Sequence, residues 1–148
     1  MPSATFLTFD KFPGHLGGGD INLAANVIKA YLTDAAPDMQ GDQYKSDLAE
    51  ISAGNGYPAG GVAMTGVAWA QQAGSPQGIW VLTFDTFSFT AAGGDIAQAR
   101  YVAWYALGSG SPNEFLIGVA DYGSEFTITN GNNLQVTDAS GTFEISKG

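Results

Sequence analysis

One histidine (His15), one arginine (Arg100) and no cysteine leave this chain of 148 residues few groups for covalent chemistry. A serine nucleophile needs a base beside it, and His15 is the single imidazole available. It stands in Phe12-Pro-Gly-His-Leu-Gly-Gly-Gly19, and no Gly-x-Ser-x-Gly elbow accompanies it. The three consecutive glycines are not followed by Lys-Ser/Thr, so they do not form a phosphate-cradling loop. Zinc sites need several His or Cys ligands, which the chain cannot supply. Asp34, Asp38, Asp42 and Asp47 crowd one stretch but lack the alternate-residue spacing and closing Glu of a Ca²⁺ loop, and read as solvated acids. Asp85, Asp95 and Asp121 are the candidates for a carboxylate pair that cleaves glycosides. Aspartates in turns, however, ordinarily accept backbone N–H bonds. The expectation is a protein that is not an enzyme, with no catalytic residue, no cofactor and no metal.

Arg100 has two readings, an anchor for a ligand or partner, or an ion pair that neutralises Asp95, Asp121 or Glu125. The structural pair is expected, and we assign it to Arg100 and Asp95. Tyr57, Tyr122 and Trp69 could stack on sugars, although their spacing fits core packing equally well.

Five basic against fourteen acidic residues give a formal charge of −9. That field repels phosphate backbones and anionic lipid heads, so neither nucleic acid nor a membrane is an expected partner. Only 13% of the residues are charged and 21 are glycine. The surface must then be built largely from Gly, Ser, Thr, Asn, Gln and Ala, which suits a protein packed against copies of itself or a partner. The first residues carry no basic stretch followed by an apolar run, and no segment reaches the ~20 apolar residues that span a bilayer. The expectation is a soluble product made in a cytoplasm.

These residues must be positioned by strands. Ala99–Leu107 puts Tyr101, Ala103, Tyr105 and Leu107 on one face and Val102, Trp104 and Ala106 on the other; a strand apolar on both faces belongs in the middle of a sheet. Phe115–Tyr122 has the same character. Thr5–Asp10, Val27–Thr33, Val62–Gln72 and Ile79–Phe84 read as further strands, helix being the alternative for Val27–Thr33. Phe12–Gly19, Asp34–Asp47, Ser52–Gly61 and Ala91–Asp95 read as loops, and Ser46–Ile51 as a helical turn or short strand. Gly74–Gly78 reads as a hairpin turn. Side-chain parity flips after Asp85, which predicts a β-bulge or bend at Asp85–Thr86. Phe126–Ile128, Leu134–Val136 and Phe143–Ile145, separated by Asn130-Gly-Asn-Asn133 and Asp138-Ala-Ser-Gly141, predict a C-terminal meander. The fold class is all-β: a single-domain antiparallel sandwich or barrel with at most short helical turns. Residues 1–19 form an N-terminal strand and Gly-rich arm, and 20–148 the β domain.

Four stretches carry a resemblance: Asp47-Leu-Ala-Glu-Ile-Ser-Ala-Gly-Asn-Gly-Tyr-Pro-Ala-Gly-Gly61, Phe89-Thr-Ala-Ala-Gly-Gly-Asp-Ile96, Ala99-Arg-Tyr-Val-Ala-Trp-Tyr105 and Leu116-Ile-Gly-Val-Ala-Asp-Tyr-Gly123. From about Ile28 onward the chain resembles a family of small virion structural proteins of tailed bacteriophages; Phe6–Gly19 departs from it. The resemblance implies a virion component; compactness, small size, negative charge and the lack of any coiled-coil, collagen-like or repeat segment suit a capsid decoration (cement) protein on the outer capsid surface, a homotrimer whose partner is the major capsid protein. The alternative it implies is a tail or fibre component that binds a host-surface glycan or another tail protein. Phe6, Phe9 and Phe12 of the arm, with Tyr44 and Tyr57, are the expected interface residues.

Overall fold

A computed structural model describes residues 4–72, 78–137 and the strand at 143–145. In chain order the elements are β1 (Thr5–Thr8), α1 (Phe12–Gly18), β2 (Ile28–Thr33), a 3₁₀ turn (Lys45–Asp47), β3 (Val62–Ala63), β4 (Ala68–Gln71), β5 (Trp80–Thr83), β6 (Phe87–Thr90), β7 (Ile96–Leu107), β8 (Glu114–Ile128), β9 (Asn133–Val136) and β10 (Phe143–Ile145). The strands form one five-stranded sheet in the order β1-β8-β7-β2-β3, a three-stranded sheet β10-β5-β4 and the pair β6-β9. Every pairing is antiparallel. The fold is an all-β single domain, and no sheet closes into a barrel among the described residues.

β7 occupies the centre of the large sheet, as its two apolar faces require. Tyr101 through Ala106 are all buried. On one face Trp104 meets Phe84 and Phe87 from the smaller sheets and the edge of the Phe6 ring, with centroids 5.9–6.4 Å apart. On the other, Tyr31 and Tyr105 cross edge to face at 5.7 Å beneath the segment that carries the 3₁₀ turn. Aromatic pairs at such offsets add to what their area alone contributes.

Several expectations are corrected. Phe12–Gly19 is not a loop: Pro13 occupies the first helical turn, and Gly19, at φ 86°, closes α1 by sending its N–H back to Leu16. A glycine-rich heptapeptide becomes helical here because Phe12 is buried, 4% exposed, and the left-handed cap is at hand. Val62–Gln72 splits into β3 and β4, which belong to different sheets. The change of parity at Asp85–Thr86 is a bend at which the chain leaves the sheet of β5 for the pair β6-β9. Phe126–Ile128 is the far end of β8, and β9 and β10 pair with β6 and β5, so the C-terminal third is not a meander. Asn130-Gly therefore turns the chain between sheets rather than within a hairpin. Of the remaining expected turns, 74–77 and 138–141 lie outside the described residues.

Candidate functional site

Ionisable and hydroxyl groups converge most densely around Glu50. β3 covers β2 only as far as Lys29 and Ala30, so the edge of β2 at Leu32 lacks a strand neighbour. The chain closes that edge itself: Ile51 N donates to Leu32 O at 3.1 Å, and Leu32 N donates to the Tyr57 hydroxyl at 3.0 Å. Tyr57 OH donates to Glu50 Oε1 at 2.7 Å, and Gly60 N donates to the same oxygen at 2.7 Å. Lys45 Nζ takes Glu50 Oε2 at 2.8 Å and lies 5.0 Å above the Tyr31 ring and 5.7 Å from that of Tyr105. Tyr105 OH donates to Gly60 O, and Tyr31 OH to Leu48 O.

Electrostatics follow from that burial. Tyr31 is held protonated far above the usual phenol range, first by burial and then by the Glu50 carboxylate. Burial also raises Tyr57, helped by its bond to Glu50, and Tyr105, helped by Glu114 and Glu50. A phenol that cannot ionise is no base, and a lysine paired to a carboxylate is no free nucleophile. The cluster is a clamp. It fastens residues 45–61 to the large sheet.

The clamp contains the sequence stretch Asp47–Gly61. In Glu50-Ile-x-x-Gly-x-Gly-Tyr57-x-x-Gly-Gly61, the Glu and Tyr bond each other and the penultimate Gly bonds the Glu. Gly61 has φ +78°, and a Cβ there would run into Ala30 O and its carbonyl carbon. The other stretches interlock likewise. Asn55 Nδ2 donates to Asp95 O at 2.7 Å, and Asn130 N to Asp95 Oδ1 at 2.8 Å. Arg100 meets Asp121 in a fork, Nε to Oδ1 at 2.8 Å and Nη2 to Oδ2 at 3.0 Å.

The Arg100–Asp95 pair is thus corrected to Arg100–Asp121. The β7–β8 ladder sets Asp121 opposite Tyr101, and register shifts between Ile96 and Tyr101 turn Arg100 toward β8, while Asp95 is engaged with Asn130. The Arg100 guanidinium and the Gly123 N–H hold Asp121 below the usual carboxylate range. With side chains 37% and 26% exposed, this pair is well wetted.

Asp85, Asp38, Asp42 and Asp47 also have local partners. Asp85 Oδ2 accepts from Thr65 Oγ1 at 3.1 Å. Asp38 Oδ1 accepts from Gln40 N and Gly41 N, Asp42 Oδ2 from Asp38 N, and Asp47 Oδ2 from Gln43 N and Tyr44 N. Asp42 is raised by burial, against the opposing bond from Asp38 N. His15 is half-buried. Its Nδ1 lies 2.9 Å from Asp20 Oδ2, its ring centroid is 4.6 Å from that of Phe115, and its Nε2 is buried without a protein partner. No three His, Asp or Glu side chains gather into a metal-ligand set among the described residues.

The expected interface residues are mostly interior. Phe9, Phe12 and Tyr57 are 0%, 4% and 2% exposed and lie in the core. Phe6 is half-buried on Trp104, its ring filling the space left at Gly118, where any Cβ would collide with it. Tyr44 is half-buried between His15 and Phe115. Phe9 N donates to Ile117 O, which explains why Phe9 turns inward where the chain leaves the sheet edge. Exposed large apolar side chains are instead Leu7 at 44%, Val27 at 51% and Trp80 at 42%. Glu50 stood in a quoted sequence motif without a role, and Lys45 escaped sequence reading; both precede the Gly-Asn-Gly-Tyr-Pro turn whose Tyr57 bonds Glu50.

Comparison with family models, curated proteins and solved structures finds no match to this chain.

Proposed function

We propose that this chain is a virion structural protein of a tailed bacteriophage, a decoration protein that binds the outer capsid surface as a homo-oligomer and braces neighbouring capsomers of the major capsid protein. The observation that carries this reading is where the polar chemistry goes. Lys45, Glu50 and Asp95 with the tyrosines Tyr31, Tyr57 and Tyr105 hold loops to sheets, Arg100 and Asp121 tie β7 to β8, and most of these residues fall in the stretches on which the resemblance was read. Such a molecule offers a rigid, weakly charged contact surface. Contacts spread across two capsomers raise the free energy needed to part them, because the bound protein stabilises only the joined state.

The test uses virions with and without the gene product. Particles lacking it release DNA at a lower temperature, and adding back the purified protein restores the wild-type release temperature. Equal heat resistance with and without it refutes the reading; so does its localisation to the tail by electron microscopy.

A further inference from the structure

Of the three tryptophans, Trp104 is 2% exposed and Trp69 is half-buried against the core, and Trp69 and Trp80 sit together on the β4–β5 pair. Their ring centroids are 5.8 Å apart and their planes 34° from parallel, and Trp80 is 42% exposed. In the ladder Gln71 stands opposite Trp80 and Leu82 opposite Trp69. Directly opposed residues share a face of an antiparallel pair, so Trp69, Gln71, Trp80 and Leu82 line one surface. Leu82, 1% exposed, roots that surface in the core, and Gln71 and Trp80 carry its other end into solvent. Neither Ala-Trp-Ala-Gln of β4 nor Trp-Val-Leu-Thr of β5 bears a charge, on a chain whose formal charge is −9.

We propose that Trp69, Gln71 and Trp80 form a binding platform for a neutral saccharide. A pyranose ring presents a face of C–H bonds ringed by hydroxyls. The C–H face is drawn to the electron-rich face of an indole, and the rim needs a group that both donates and accepts hydrogen bonds, as the Gln71 amide does. Trp80 offers the exposed indole for one sugar unit, and Trp69, 5.8 Å away and inclined by 34°, borders it from the core side. Strands hold both rings, so ligand binding costs little side-chain entropy. Charge selects against the other flat ligands: nucleotides and uronic acids are anionic and meet a repulsive field, and a cation finds no carboxylate on β4 or β5. This platform stands on the β4–β5 geometry alone and is independent of the virion reading.

The test titrates the full chain with cellohexaose, maltohexaose and chitohexaose as neutral probes and with oligogalacturonate as the anionic one, by calorimetry and tryptophan fluorescence. Saturable binding of at least one neutral probe is expected, with an emission shift from Trp69 and Trp80 and weaker or no binding of oligogalacturonate. Trp80→Ala weakens that binding about tenfold or more, Trp69→Ala comparably, and Trp80→Phe retains part of it. Trp80 is exposed enough for the Ala variant to fold, which its melting curve verifies. Lack of binding by all three neutral probes at millimolar concentration overturns the proposal, as does tighter binding of oligogalacturonate or affinity unchanged in Trp69→Ala/Trp80→Ala. Self-association that Trp80→Ala abolishes overturns it too, giving the surface to a second copy of the chain.

Discussion

Glu50→Ala removes the acceptor of three donors at once: the Tyr57 hydroxyl, the Gly60 N–H and the Lys45 ammonium. It leaves Lys45, whose side chain is 17% exposed, facing the Tyr31 and Tyr105 rings with no counter-charge. Removing one partner of a buried pair costs about 3–5 kcal/mol. Because water still reaches 16–17% of the two side chains, the low end applies, roughly 3 kcal/mol. Glu50→Gln keeps an oxygen for Tyr57 and Gly60 and loses only the charge, costing about 1.5–2 kcal/mol. Lys45→Met leaves Glu50 bonded to both and is milder than Glu50→Ala. Combined in Lys45→Met/Glu50→Gln, the two changes cost less than their sum, with a coupling of about 1 kcal/mol. Urea unfolding followed by tryptophan emission reads these values as midpoint shifts at constant slope. A Glu50→Ala protein within about 0.5 kcal/mol of the parent, or strict additivity in the cycle, refutes the clamp.

Gly118→Val forces the Phe6 ring off Trp104, so β1 detaches while the core stays folded; hydrogen exchange at Thr5–Thr8 rises without comparable change in β7. If β1 stays protected, the notch at Gly118 does not seat it. Gly61→Ala sets a side chain against Ala30 O at φ +78° and destabilises by about 2 kcal/mol or more in the same urea assay. Tyr31, Tyr57, Tyr105 and Tyr122 are all raised by burial, so their contribution to stability is complete below the phenol range near pH 10 and is lost as pH climbs beyond it. An ultraviolet titration should show these four ionising only as the protein unfolds; ionisation of all six tyrosines in the folded chain refutes their burial. Asp121 is lowered, so its contribution is present above about pH 4 and disappears as pH falls through its folded value. The stability gap between the parent and Asp121→Asn, measured by urea unfolding across pH, therefore closes on acidification, and a gap independent of pH refutes the Arg100 pairing.

The period-2 pattern made β7 and β8 legible because both strands are apolar on both faces, a signal that survives any partner arrangement. Pairing was less legible. Leu134–Val136 and Phe143–Ile145 have ordinary strand patterns, but nothing local says that β9 seeks β6 and β10 seeks β5, so turn chemistry at Asn130-Gly pointed to a hairpin that does not form. Phe12–Gly19 misled for a related reason. Helix propensity counts against four glycines, whereas the buried Phe12 and the Gly19 cap are tertiary and terminal effects that outweigh it. Arg100 was legible as a paired side chain but not by partner, since the bulges of β7 decide which side it faces.

β1 and β3 are the edge strands of the large sheet, and both are shorter than the strands they flank, which the chain covers further by other means. β8 is covered along its outer edge by β1 at Gly118–Asp121, by Phe9 at Ile117 and by Gln43 at Leu116. β2 is covered by β3, then by Ile51 and the Tyr57 hydroxyl. A strand edge with free N–H and C=O groups templates pairing with any extended chain, and here the clamp residues close the stretch that β3 leaves open. The hydrogen bonds that fasten residues 50–60 thereby close this stretch of β2 to strand addition.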